Sequence, residues 1–143
     1  MATEKTVSTI MTASPVVGNP SNKFSQLLRL FTEFPVHHLP IVDGDNKLIG
    51  IVSSNDLPKV FLELCNRTKP VQMTLDVIDQ EIKISDLMTP NPITINSSEP
   101  ITQAMQLFAK HRFTALPVVD NGLLIGILSS KDVLTYLNRV SVV

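Results

Sequence analysis

Two carboxylates stand in the same small setting. Asp56 closes the run Gly50-Ile51-Val52-Ser53-Ser54-Asn55-Asp56, and Asp132 closes Gly126-Ile127-Leu128-Ser129-Ser130-Lys131-Asp132. An ionised carboxylate has two acceptor oxygens and can take two neighbouring sugar hydroxyls as charge-assisted hydrogen bonds. Ser53 and Ser129 lie three residues earlier, one helical turn away, where a hydroxyl can reach a sugar or a phosphate. A helix that opens here also favours an anion at its N-terminus. The same tetrapeptide reads equally well as a capping box, in which serine and acid satisfy the first amides of a helix and together contribute about 1 kcal/mol. Both readings stay open on sequence grounds, and one residue can serve in both.

These settings are positioned by a unit written twice. With a shift of 77, Ser8 meets Ser85, Met11-Thr12 meets Met88-Thr89, Pro15 meets Pro92 and Asn19 meets Asn96. Leu30-Phe31 meets Leu107-Phe108, Leu39-Pro40 meets Leu116-Pro117, and Val42-Asp43 meets Val119-Asp120. After one deletion the shift is 76, and Gly50, Ser53 and Asp56 meet Gly126, Ser129 and Asp132. Each copy begins with a short extended stretch, at 14–17 and 92–95. A helix follows, with Phe24, Leu27, Leu28, Phe31 and Phe34 as the apolar stripe of the first copy and Ile101, Met105 and Phe108 in the second. Ser98 is the expected N-cap of the second, with Pro100 in its first turn. Two apolar runs come next, and Asn121-Gly122 marks a tight hairpin in the second copy because both positions accept positive φ. Their near-continuous Val, Ile and Leu predict strands buried on both faces. A closing helix starts at each Ser-Ser.

The expected fold class is therefore α/β, two β-α-β-β-α repeats related by a pseudo-twofold axis and packed as one module. The first repeat spans 1–67, a packed crossover 68–81, and the second repeat 82–143.

Composition narrows the chemistry. Of 143 residues, 43% are apolar and 17% charged, which fits a globular chain, and the net charge of −1 gives no overall field for nucleic acid or an anionic membrane. Cys65 is the single cysteine, so no internal disulfide and no cysteine zinc cluster can form, and a reduced, cytoplasmic setting is expected. The first fifteen residues lack a signal peptide's apolar core, and no apolar run approaches the ~20 residues of a membrane span. Without Trp, and with Tyr136 the only Tyr, stacking platforms for single-stranded nucleic acid are not expected. No nucleophile elbow, phosphate loop, His-Glu-x-x-His or Gly-rich dinucleotide turn occurs. Twin acids in matching positions suggest paired binding sites rather than an acid and a base, which need different surroundings. The expectation is no catalysis, no metal and no membrane insertion.

The ordered set of VSTIMTASPVV and its twin ISDLMTPNPITI, the LPVVD strand, and the closing Gly-h-h-Ser-x-x-Asp (h apolar) resembles the cystathionine-β-synthase (CBS) domain. The resemblance runs from Val7 to Asn138 and occurs twice. It implies a tandem pair, or Bateman module. Many such pairs bind adenosine compounds, AMP, ADP, ATP, S-adenosylmethionine, NAD or cyclic di-AMP, in two clefts, regulate an attached or separate enzyme, channel or transporter, and commonly form homodimers. It assigns ribose contacts to Asp56 with Ser53 and to Asp132 with Ser129. By analogy with some relatives it points to phosphate contacts at His37 and Thr114, and at Asn55 and Lys131, with His38 adjoining. His37, Thr114 and Lys131 are expected to converge on the cleft of Asp56, leaving that of Asp132 poorer in cations. The apolar slot for adenine falls to Pro15, Val16, Val17, Leu39 and Pro40, and to Pro92, Ile93, Thr94, Leu116 and Pro117, all of which also read as core. The histidines read equally as surface or hydrogen-bonded residues, and Lys131 as a solvated helix residue. The resulting expectation is a non-catalytic regulatory module for adenine nucleotides, with no other cofactor and an unnamed protein partner. The alternative is a ligand-free structural or dimerisation module.

Overall fold

The computed structural model describes residues 4–67 and 73–141. In chain order, a 3₁₀ turn at Val7–Thr9 leads to β1 (Thr12–Ala13), α1 (Phe24–Glu33), β2 (His38–Val42), β3 (Leu48–Ser53) and α2 (Asp56–Arg67). Then come α3 (Leu75–Glu81), α4 (Ile84–Leu87), β4 (Thr89–Pro90), α5 (Ile101–Lys110), β5 (Ala115–Asp120), β6 (Leu123–Ser129) and α6 (Ser130–Ser141). The order within each repeat is that expected for an α/β chain, and the described residues form two compact units. Unit 1 holds the described residues up to Pro15, Asn46–Leu48, and those from Pro92 onward; unit 2 holds Val16–Asp45 and Ile49–Asn91.

These units do not coincide with the sequence copies, because the opening segments are exchanged. Unit 1 has a three-stranded sheet in the order β1-β6-β5, and unit 2 one in the order β2-β3-β4. β1, from the opening of the first copy, pairs antiparallel with β6 of the second, with Ala13 opposite Gly126. β4, from the opening of the second copy, pairs with β3 of the first, with Gly50 opposite Pro90. The repeated glycine is what admits the visitor. A Cβ on Gly126 would lie 2.5 Å from Met11 Sδ and 2.9 Å from the Thr12 carbonyl oxygen; one on Gly50 would lie 2.5 Å from Met88 Sδ. The repeated Met-Thr and the repeated glycine are thus two halves of one contact.

The extended stretches expected at 14–17 and 92–95 lead into single parallel bridges, Gly18 to Ile41 and Ile95 to Val118. Gly18 donates to the Pro40 carbonyl at 2.9 Å, and Ile95 to that of Pro117 at 3.1 Å. The β5–β6 hairpin turns through Asn121 (φ 54°) and Gly122 (φ 79°), the pair of left-handed residues that the dipeptide predicts.

Three local expectations are corrected. β3 and β6 alternate buried with half-buried positions rather than being covered on both faces; only β2 and the start of β5 are continuously buried. A short antiparallel sheet packs one face on its helices and so keeps period two. Ser98 does not cap α5. Pro100 occupies the N-cap, Ser98 Oγ donates to Asn96 Oδ1 at 2.6 Å, and the Ile101 amide is taken by the Lys5 carbonyl at 3.0 Å. A backbone acceptor from the N-terminal arm replaces the side-chain cap. Phe34, placed on the first helical stripe, lies beyond α1 and is exposed.

The core of unit 2 joins Phe24 and Leu27 of α1 to Leu39, Ile41, Val52, Leu57 and Leu64, and takes Ile84 and Leu87 from the second copy's opening. In unit 1, Val7 from the arm is fully buried among Ile101, Ala104, Leu116, Val118 and Leu128. The crossover expected over 68–81 lies partly outside the described residues. Its described part forms α3, which buries Ile78, and Asp79 accepts hydrogen bonds from the Ser25 amide (2.8 Å) and hydroxyl (2.6 Å), satisfying the open end of α1.

Candidate functional site

α6 leaves β6 with no intervening loop, so Ser129, the last strand residue, becomes its N-cap. The Asp132 amide donates to Ser129 Oγ at 3.0 Å, and the Ser129 amide donates to Asp132 Oδ2 at 2.9 Å. This is a reciprocal capping box. In the first copy the Ser53 amide donates to Asp56 Oδ2 at 2.7 Å. The full capping box is therefore realised in the second copy, and only its acid-to-amide half in the first, where α2 starts at Asp56 itself.

Capping uses only one oxygen of each acid. The second takes no protein donor among the described residues. No buried side-chain oxygen there lacks a partner, so this second oxygen is not sealed from solvent. Ser129 Oγ serves as an acceptor and keeps its own O–H to donate. Capping thus orients each acid rather than consuming it.

The neighbouring strand is tied to the same place. The Ser54 amide donates to the His37 carbonyl, and the Ser130 amide to that of Thr114, both at 2.9 Å. In unit 2 this gathers His37, His38, Ser53, Ser54, Asn55 and Asp56; in unit 1 it gathers Thr114, Ser129, Ser130, Lys131 and Asp132. Burial holds the His38 imidazole below the usual histidine range, helped by His37, while Asp56 pulls the other way. His37, Asn55, Thr114 and Lys131 are exposed, and His38 is half-buried.

The apolar candidates divide. Val16 and Thr94 are half-buried, and Val17 and Ile93 are exposed, so all four present accessible surface. Leu39, Pro40, Leu116 and Pro117 have fully buried side chains, and the carbonyls of both prolines are already bonded. Sequence reading gave these four as core residues that could also line a ligand; they are buried in the core, where they fix the segments that carry the other four. His111, outside the candidate set, ends α5 and stacks on Phe113 at 5.1 Å.

Sequence reading missed a groove. In unit 1, Thr9 and Ile10 face Asp132, Thr135, Tyr136 and Arg139 of α6 across a hollow of about 180 Å³. The signal was present, since the four α6 residues fall at i, i+3, i+4 and i+7 and make a polar face. In unit 2 a hollow of about 320 Å³ is lined by Val60, Glu63, Arg67, Glu81, Ile82 and Asp86. Among the described residues, no three His, Cys, Asp or Glu side chains are grouped to hold a metal, and no helix is long and apolar enough to cross a membrane.

The sequence profile of the CBS domain matches residues 7–63 and 84–139, so this chain belongs to the CBS domain family and carries the domain twice. A CBS domain-containing protein of Dictyostelium discoideum is 30% identical over 139 residues, covering 94% of this chain and 92% of that protein. CBSX2 of Arabidopsis thaliana, solved in complex with AMP, matches with 33% identity, 94% and 97% coverage and a TM-score of 0.77. The CBS domain pair of protein MJ0100, solved with 5-methylthioadenosine and S-adenosyl-L-methionine, matches with 26% identity, 93% and 99% coverage and a TM-score of 0.75. Some relatives are enzymes. The chain spans only 22% of the L-aspartate semialdehyde sulfurtransferase of Methanocaldococcus jannaschii and 24% of the homoserine O-acetyltransferase of Methanococcus vannielii.

Proposed function

We propose that this chain is a non-catalytic regulatory module that binds an adenosine-type ligand, AMP, ADP or ATP, at its two Ser-x-x-Asp sites. The observation that carries this reading is the second oxygen, without a protein donor among the described residues, on each of two acids that accept the serine amide three residues back. Such an oxygen, beside a helix N-terminus and an O–H donor, suits a ribose diol with a phosphate near it. The AMP complex of CBSX2, at 33% identity, supports an adenosine ligand, and so do the two adenosine compounds on the MJ0100 pair, at 26%.

In this reading Asp56 and Asp132 hold ribose with Ser53 and Ser129. Val16, Val17, Ile93 and Thr94 receive the base, and His37, His38, Thr114 and Lys131 are available to phosphate. The module acts as a homodimer in a reduced compartment, the cytoplasm, and signals to a partner by population shift.

Thermal unfolding of the full chain with AMP, ADP, ATP, S-adenosylmethionine, NAD and a cyclic dinucleotide tests this. A ligand at about 100 times its Kd adds roughly 2.7 kcal/mol and raises Tm by several degrees. No rise with any of the six compounds would leave the structural pairing module as the better reading.

A further inference from the structure

Two of the chain's three histidines stand side by side at one of the two acids. His38 opens β2 and His37 precedes it. The His37 carbonyl takes the Ser54 amide at 2.9 Å, which ties this end of β2 to the turn before α2 and its first residue, Asp56. His38 is half-buried there, and Asp56 acts on it as a charge. The repeat shift of 77 puts Thr114 and Ala115 at the matching positions of unit 1. The same tie is made there, from the Ser130 amide to the Thr114 carbonyl, but Thr114 does not titrate and Ala115 is buried. The third histidine, His111, ends α5 and is stacked on Phe113. Both acids accept the serine amide three residues back, and the histidine pair stands at Asp56.

Few charges act on His38. Burial works against its proton most, His37 adds to that, and Asp56 opposes both. β3, which pairs with β2, carries no titratable side chain, and the charged residues of α1, Arg29 and Glu33, are bonded to each other at 2.9 Å. In the free chain the ring is thus held neutral at pH values where an exposed histidine is part protonated. A neutral imidazole has one N–H to give and no charge; the protonated ring has two and a positive charge. An anion seated at this end of β2 favours the protonated ring, so proton and anion assist each other's binding.

We propose that His38 is a pH-operated selector of the unit 2 site: protonated, it strengthens the hold of the Asp56 site on an anionic ligand, and the Asp132 site, with Thr114 and Ala115 in its place, lacks this response. A fall in pH then favours filling of the first site over the second. This rests on the reading of Asp56 as an acid that holds ligand, and it adds regulation by the proton.

Imidazole proton NMR of the full chain from about pH 5 to about pH 8 tests it, alone and with AMP, sulfate or adenosine at equal ionic strength. The charge of sulfate is fixed over this range, so any response to it comes from the protein. The signal lost in His38→Gln, and kept in His37→Gln and His111→Gln, belongs to His38, so one unfolded variant does not stop the assignment. The His38 pKa is expected to rise by about one pH unit with AMP and with sulfate, which equals about tenfold tighter binding of the anion to the protonated chain than to the neutral one. With adenosine, which carries no anion, it should move by less than about 0.3. A His38 signal that neither anion moves, or that adenosine moves as far as AMP does, overturns the proposal. If AMP raises Tm while neither anion moves that signal, the selector fails and the nucleotide reading stands. If sulfate raises the His38 pKa while neither AMP nor adenosine binds, the nucleotide reading fails and the selector stands.

Discussion

Asp56 and Asp132 show how one side chain serves stability and recognition together. Each spends one oxygen on the serine amide three residues back and keeps the other. Truncation should therefore have a modest folding cost. Asp56→Ala and Asp132→Ala are each expected to lose about 1 kcal/mol in urea unfolding, the usual magnitude of a cap, while Asp132→Asn retains most of the stability because its amide oxygen still accepts. If the site reading holds, ligand affinity falls in all three. His38 adds a pH dependence. Its pKa in the folded chain is lowered from 6.5 by burial and by His37, with Asp56 opposing. Above pH 6.5 the ring is neutral folded or unfolded and contributes nothing to the pH profile. As pH falls through 6.5 the unfolded chain takes the proton first, so stability declines, and the decline levels off below the folded pKa. Unfolding free energies at pH 8, 6.5 and 5 should show a smaller acid loss for His38→Gln than for wild type.

At the scale of elements, the repeated Gly50 and Gly126 do more than lend freedom to a strand. They leave room for the Met-Thr of an exchanged edge strand. An added methyl has backbone oxygen on one side and a methionine sulfur on the other, so Gly126→Ala is expected to destabilise by about 1–3 kcal/mol as overpacking does. Met11→Ala in the same chain should recover part of this, by making the space, when both variants are compared by chemical denaturation. The Asn121-Gly122 turn was legible because it is a local requirement on φ. The cap of α5 was not. Ser98 has a fitting type and place, but the acceptor at this end is the Lys5 carbonyl, more than ninety residues away in sequence and invisible to any local rule.

For the molecule as a whole, the exchange means that unit 1 depends on an N-terminal arm. The arm brings Val7 into the core, pairs β1 with β6 and satisfies the first amide of α5. Removing residues 1–13 is expected to raise hydrogen exchange throughout β6 and α5 by at least tenfold, since an opening free energy reduced by 1.4 kcal/mol has that effect. Exchange unchanged in both elements would show that the arm is dispensable. A unit with a partner strand taken from the other copy also explains why neither copy is expected to fold from its own residues alone.

The sequence by itself determined the duplication, the α/β class, the element order and the paired acids, because periodic apolar positions and repeated motifs are local records of burial and turn chemistry. Tertiary structure alone decided which copy each opening segment pairs with, that the Lys5 carbonyl caps α5, and that Arg139 shares a groove with Thr9. Each of these depends on contacts between residues far apart in the chain, where the pairing is fixed by the fit of one surface to another and leaves no period in the sequence to read.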